Sequence, residues 1–132
     1  MEYSDSLKKN SEFQKVYRKG TSQANRYLVM YVLENHDRHM ENRLGISVSK
    51  KVGNSVVRHR VTRLIRESYR LNERSFRQGL DIVVVARPNA KDKSYQEIES
   101  ALMHLAGRMK IRREAEIHTE ESSELKKADE QI

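Results

Sequence analysis

No cysteine and no tryptophan occur in the 132 residues, and proline occurs once. Without cysteine there is no disulfide, no thiolate metal site and no cysteine nucleophile. No stretch approaches the roughly 18 apolar residues of a membrane-spanning helix, and residues 1–25 are too polar for a secretory signal. These absences predict a cytoplasmic protein with no membrane contact. Neither a G-x-S-x-G pattern nor a phosphate-cradling P-loop is present. His36 and His39 share a polar loop, but two histidines with no third ligand are weak evidence for metal. Nothing among the residues indicates an active site carried by the protein itself.

Negative charge is scarce where positive charge is dense. The net charge is +7, yet residues 111–132 carry four basic and seven acidic side chains, so residues 1–110 carry +10. Such a basic body predicts a polyanionic partner. The length and the 36% hydrophobic content suit one small core, with residues 1–110 as a single domain. Residues 111–132 hold little apolar matter and are expected to be a disordered charged tail.

Local patterns predict the order α-β-β-α-β-α. Residues 1–9 read as a basic arm. Residues 11–19 read as a short helix, with Ser11 and Gln14 at capping-box spacing and Gly20 as a left-handed stop. Phe13, Val16 and Tyr17 form its apolar stripe. "RYLVMYVLE" (26–34) and "RLGISVSKKV" (43–52) read as two strands of a hairpin, the second with an apolar face and a small polar one. Asn54 or Ser55 caps a helix running to about Leu71. "LDIVVVARP" (80–88) reads as a buried strand. Ser94 and Glu97 open a last helix that runs to about Lys110. The fold class is α+β, a single-domain sandwich of helices on one sheet.

The stretch "KKVGNSVVRHRVTRLIRESYR" (50–70) carries the strongest signal. On a helical wheel Val57, Val61, Leu64, Ile65 and Ser68 share one face, suited to a core. His59, Arg63, Arg66 and Arg70 lie opposite, flanked by Arg58 and Arg60, and only Glu67 opposes them. A solvated helix face usually mixes acids and bases, because like charges at i, i+4 repel. Phosphates relieve that repulsion, and the planar fork of arginine suits phosphate oxygens. The ridge therefore predicts nucleic-acid binding. Phe13, Tyr17 and Tyr31 either bury against the sheet or form a stacking platform for unpaired bases, with Lys50 and Lys51 placed for the phosphates.

"KKVGNSVVRHRVTRLIRE" resembles the basic signature of the bacterial ribonuclease P protein component, K-x-x-G-N-A-V-x-R-N-R-x-K-R. "NSEFQKVYRKGTSQANRYLVMYVL", "RLGISVSKK" and "DIVVVARP" resemble that family's first helix and three strands, so the likeness spans about residues 5–108. It implies a fold like domain 2 of ribosomal protein S5, with a left-handed βαβ crossover. It implies the catalytic RNA of ribonuclease P and precursor tRNA as partners, with no DNA. Function follows: a subunit assisting magnesium-dependent endonucleolytic removal of the 5′ leader, with Mg2+ held mainly by the RNA. By motif position Asn54, Arg58, His59, Arg60, Arg63, Arg66 and Arg70 would face the catalytic RNA. Phe13, Tyr17, Tyr31, Ser47, Lys50 and Lys51 would hold the leader. His59 stands where the pattern has Asn and Thr62 where it has Lys, and Thr62 is not carried over. Two other classes remain: a ribosomal or RNA-chaperone protein, and a helix-turn-helix DNA binder, which would need a helix where residues 43–52 read as a strand.

Overall fold

The computed structural model describes residues 3–35 and 41–113. In chain order their elements are β1 (Ser4–Ser6), α1 (Asn10–Lys19), β2 (Thr21–Ala24), β3 (Leu28–Glu34), β4 (Asn42–Ser47), α2 (Ser55–Asn72), β5 (Leu80–Ala86) and α3 (Tyr95–Arg108). Single turns of 3-10 helix at Glu73–Ser75 and Pro88–Ala90 join the later elements. All six predicted elements are present, and two short strands, β1 and β2, join them.

β5 explains the topology. Its side chains are buried on both faces apart from a half-buried Val85, so it takes the middle of a sheet ordered β1-β4-β5-β3-β2. β3 runs antiparallel to β5, and β4 runs parallel to it. The expected hairpin of β3 with β4 is therefore wrong: β5 lies between them. β3 instead turns tightly into β2 at Asn25, whose Oδ1 accepts the Tyr27 and Leu28 N–H groups at 3.2 and 3.0 Å. The segment read as a basic arm supplies β1, which pairs with β4 in parallel. β4 ends at Ser47, earlier than predicted, and a turn closed by Val52 N–H on the Ser49 carbonyl (3.1 Å) leads to α2. The β4–α2–β5 connection thus forms a βαβ unit.

The helix ends follow identifiable chemistry. Ser94 and Glu97 cap α3 reciprocally, as the sequence predicts. At α1 the expected Ser11–Gln14 box is absent. The Glu12 carboxylate instead accepts the Lys9 N–H at 3.0 Å, two residues earlier, because an acid is the stronger acceptor there. Gly20 is not left-handed, having φ −81°. Its role is close approach: a Cβ there would lie 2.6 Å from the Val16 carbonyl oxygen and 2.7 Å from that of Val32.

The sheet separates two cores. α2 and α3 cover one face, where Val61, Ile65 and Tyr69 meet Ile98, Leu102 and Leu105 over Leu28, Met30, Ile82 and Val84. Tyr69 and Phe76, edge to face at 4.8 Å, are fully buried there; Tyr69 continues the i, i+4 series of Val61 and Ile65, whereas Phe76 lies beyond the helix and carries no periodic signal in the sequence. Among the described residues the other face carries α1 alone of the helices, with Val16, Phe13 and Tyr17, joined by Leu7, over Val83, Tyr31 and Leu33. A ten-residue helix is about 15 Å long. It is too short to cover the face that two helices cover on the other side, so among the described residues part of the sheet stays open beside it.

Candidate nucleic-acid interface

The strand register lays out the open face in rows. Ser22, Tyr31, Val83 and Gly45 stand side by side, and the next row is Ala24, Val29, Val85 and Ser47. In that second row Val29, Val85 and Ser47 are only half-buried. Tyr17 sits edge-on to Tyr31 with ring centres 4.9 Å apart, and Phe13 lies 6.5 Å from Tyr17. All three rings are half-buried, so they pack against the sheet and still offer surface. Gly45 makes this possible: a Cβ there would sit 2.7 Å from the Phe13 ring. The sequence marks Gly45 as one of a small-residue face, but its function as floor under Phe13 appears only in the fold. Lys50 and Lys51 follow Ser47 on the exposed turn.

α1 is held to the sheet by a partly buried ionic link centred on the buried Asp81. Arg43 and Asp81 are directly paired across β4 and β5. The Arg43 guanidinium donates to both Asp81 oxygens (2.9 and 2.6 Å) and to Glu12 of α1. Asn35 adds a bond to Asp81 at 3.0 Å. The backbone N–H of Lys9, then that of Lys8 and the Arg43 charge, hold the Glu12 carboxyl below its usual range.

On the opposite layer α2 carries the arginine ridge. Asn54 caps it, accepting the Val57 N–H at 3.0 Å. His59, Arg63 and Arg66 are exposed, and none of the three makes a hydrogen bond or ion pair among the described residues. The other arginines differ from the wheel's expectation. Arg60 donates to the backbone carbonyls of Lys93 (2.9 Å) and Lys91 (3.4 Å), fastening the ridge to the loop before α3. Arg58 is half-buried, and Arg70 pairs with Glu67 at 2.7 Å. Thr62, at the family's Lys position, donates to the Arg58 carbonyl at 2.8 Å, a bond internal to the helix.

Charge placement separates α2 from its neighbours. α1 and α3 each have an acid in the first turn, Glu12 and Glu97, matching the positive end of the helix dipole. α2 has none, and Lys50, Lys51, Arg58 and Arg60 crowd that end instead. A helix start so loaded suits an anion outside the chain.

The family model for ribonuclease P matches residues 1–110. The chain belongs to the ribonuclease P protein family. It is 64% identical over 108 residues to the ribonuclease P protein component of Lachnoclostridium phytofermentans, covering 82% of this chain and 91% of the relative. The component from Alkaliphilus metalliredigens is 54% identical over 111 residues, 84% of this chain and 98% of the other. The ribonuclease P protein of Staphylococcus aureus superposes with a TM-score of 0.75 at 40% identity, covering 83% of this chain and 99% of that one. That of Thermotoga maritima gives 0.72 at 28% identity, covering 79% and 96%. The chain is thus the protein subunit of an endoribonuclease holoenzyme, a ribonucleoprotein with an RNA partner. Membership confirms the α+β fold. Among the described residues no helix is long and apolar enough to cross a membrane. His36 and His39 lie outside the described residues, as does most of the acidic tail.

Proposed function

We propose that the subunit binds the catalytic RNA through α2 and the 5′ leader of precursor tRNA on the open sheet face beside α1, in the cytoplasm. The observation that supports this reading is the cluster of exposed His59, Arg63 and Arg66, opposed on α2 by Glu67 alone, which pairs with Arg70, and lying on the layer opposite the aromatic platform. Two surfaces on opposite faces let one small domain bridge two RNAs. Among the described residues no three His, Asp or Glu side chains gather where they could hold a metal. We assign the Mg2+ of the reaction mainly to the RNA and route no step through it on this chain.

Reconstitution tests the reading. With the catalytic RNA and Mg2+ the protein should speed precursor tRNA cleavage over RNA alone, and the protein freed of RNA should cleave nothing. Robust cleavage by protein alone would overturn the assignment. Sequencing the RNA that co-purifies separates this from a ribosomal role, which would yield ribosomal RNA.

The ridge has its own readout. Arg63→Ala and Arg66→Ala should each weaken catalytic-RNA binding and lower the salt slope by about 0.9 for each phosphate no longer neutralised. Val61→Ala, fully buried in the same helix, should instead cost about 1.5–3 kcal/mol of stability. Thermal melts beside salt-titrated binding distinguish the two. Unchanged affinity and slope in both arginine variants would make the ridge a merely solvated face.

A further inference from the structure

A groove of about 580 Å³ lies between α2 and the start of α3, and its lining mixes two chemistries. Val56, Leu64 and Tyr95 give it apolar surface, Arg60 and Arg63 give it positive charge, and His59 and Glu67 complete the polar lining. The volume is that of sites for small organic groups, roughly 300–1,000 Å³. Val56 is the anomaly. It is a large apolar side chain left 75% exposed in the first turn of a cationic helix. Phosphate contacts gain nothing from such a residue, whereas an unpaired base stacked on an aromatic ring such as Tyr95 has apolar surface left for it to cover.

We propose that this groove takes one unstacked nucleotide of an RNA partner, its base against Val56, Leu64 and Tyr95 and its phosphates toward His59 and Arg63. The inference rests on the RNA-binding reading of α2 and adds a site to it. The walls are fixed before RNA arrives. Arg60 is tied to the loop carbonyls of Lys91 and Lys93, and the Tyr95 hydroxyl donates to Glu99 at 2.6 Å. Burial and that carboxylate push the Tyr95 phenol up to about 12, so it stays neutral. Glu67 stands at the rim with its carboxyl held below the usual range, by Arg70 first and Arg63 with it. A paired base inside a duplex cannot reach apolar walls of this kind, so the ligand is a bulged or single-stranded nucleotide. Either RNA of the holoenzyme has such nucleotides, and the experiment separates them.

Val56→Ser removes the exposed apolar contact without opening the core. In the assembled holoenzyme it should weaken one RNA, catalytic or precursor, by about tenfold with the salt slope unchanged, because it removes apolar contact with the base and leaves the phosphates neutralised. A photoreactive benzoylphenylalanine at position 56 should cross-link to an unpaired nucleotide. Primer extension on both RNAs identifies which one carries the adduct. Affinity within twofold of the parent for both RNAs would overturn the proposal, as would adducts confined to duplex or absent. Failure of the underlying reading looks different: Arg63→Ala and Arg66→Ala would leave affinity and slope unchanged, whatever Val56→Ser does.

Discussion

Tyr17→Ala should weaken binding of leader-bearing precursor tRNA to the holoenzyme by about tenfold, and leave mature tRNA bound as before. The magnitude follows from the roughly 1–3 kcal/mol that stacking on one aromatic ring contributes per base. The selectivity follows from geometry. Tyr17 stands edge-on to Tyr31 at the margin of the open row formed by Val29, Val85 and Ser47, and neither ring is fully buried. Only an RNA whose single strand reaches that row touches them. Tyr17 also packs on the sheet, so the alanine variant destabilises the fold to some degree. Tyr17→Leu controls for this, since it keeps apolar bulk over Val83 and loses the flat ring. Thermal melts and binding of both RNAs should show Tyr17→Leu with near-parental stability and most of the leader defect. Equal losses on both RNAs, with a large fall in melting temperature, would return the ring to a purely structural role.

The second large effect is expected at Arg43. Removing its guanidinium leaves the Asp81 carboxylate, 3% exposed, with the Asn35 amide in place of two charged donors. Breaking a buried pair from one side costs about 3–5 kcal/mol, a large share of the roughly 5–15 kcal/mol that holds a domain folded. Arg43→Met should therefore lower the denaturant midpoint severely. Adding Asp81→Leu should recover much of the loss, because no charge is then left buried. A double variant no better than Arg43→Met would show that the link is not the cause. The pH dependence follows with a definite sign. Glu12 has a folded pKa below its unfolded one, so its contribution is complete above about pH 4.3. It fades as pH falls through the folded value. Arg43→Met should reduce this acid sensitivity without abolishing it, since the Lys8 and Lys9 N–H groups remain.

Local signals made most of the fold legible in advance. α2 and α3 show their period of 3.6 and their caps, and β5 shows an unbroken apolar run of strand length. β1 and β2 are three and four residues of mostly polar sequence at the sheet edges, and edges give no periodic signal. The hairpin error has a physical origin. Consecutive strands pair roughly two-thirds of the time, and nothing in residues 26–52 reveals that a strand made later will lie between them. The site divides in the same way. Arg63 and Arg66 were legible because helix geometry alone exposes them. The tethering of Arg60 to residues 91 and 93, the floor that Gly45 gives Phe13, and the Arg43–Asp81 pair were not. Each joins residues far apart in the chain, and no local pattern encodes such a pairing.

The sheet order also bears on how the chain is made. Among the described residues β5 is the last strand to leave the ribosome and the middle strand of the sheet. Until residue 86 is free, β1–β4 and β2–β3 share no edge, and two-stranded ribbons are marginal by themselves. α2 is already synthesised by then, with every arginine of its ridge. A nascent chain stalled before residue 80 is therefore not half a domain. It is a polycation with two unjoined ribbons, and only the final strand turns it into a fold.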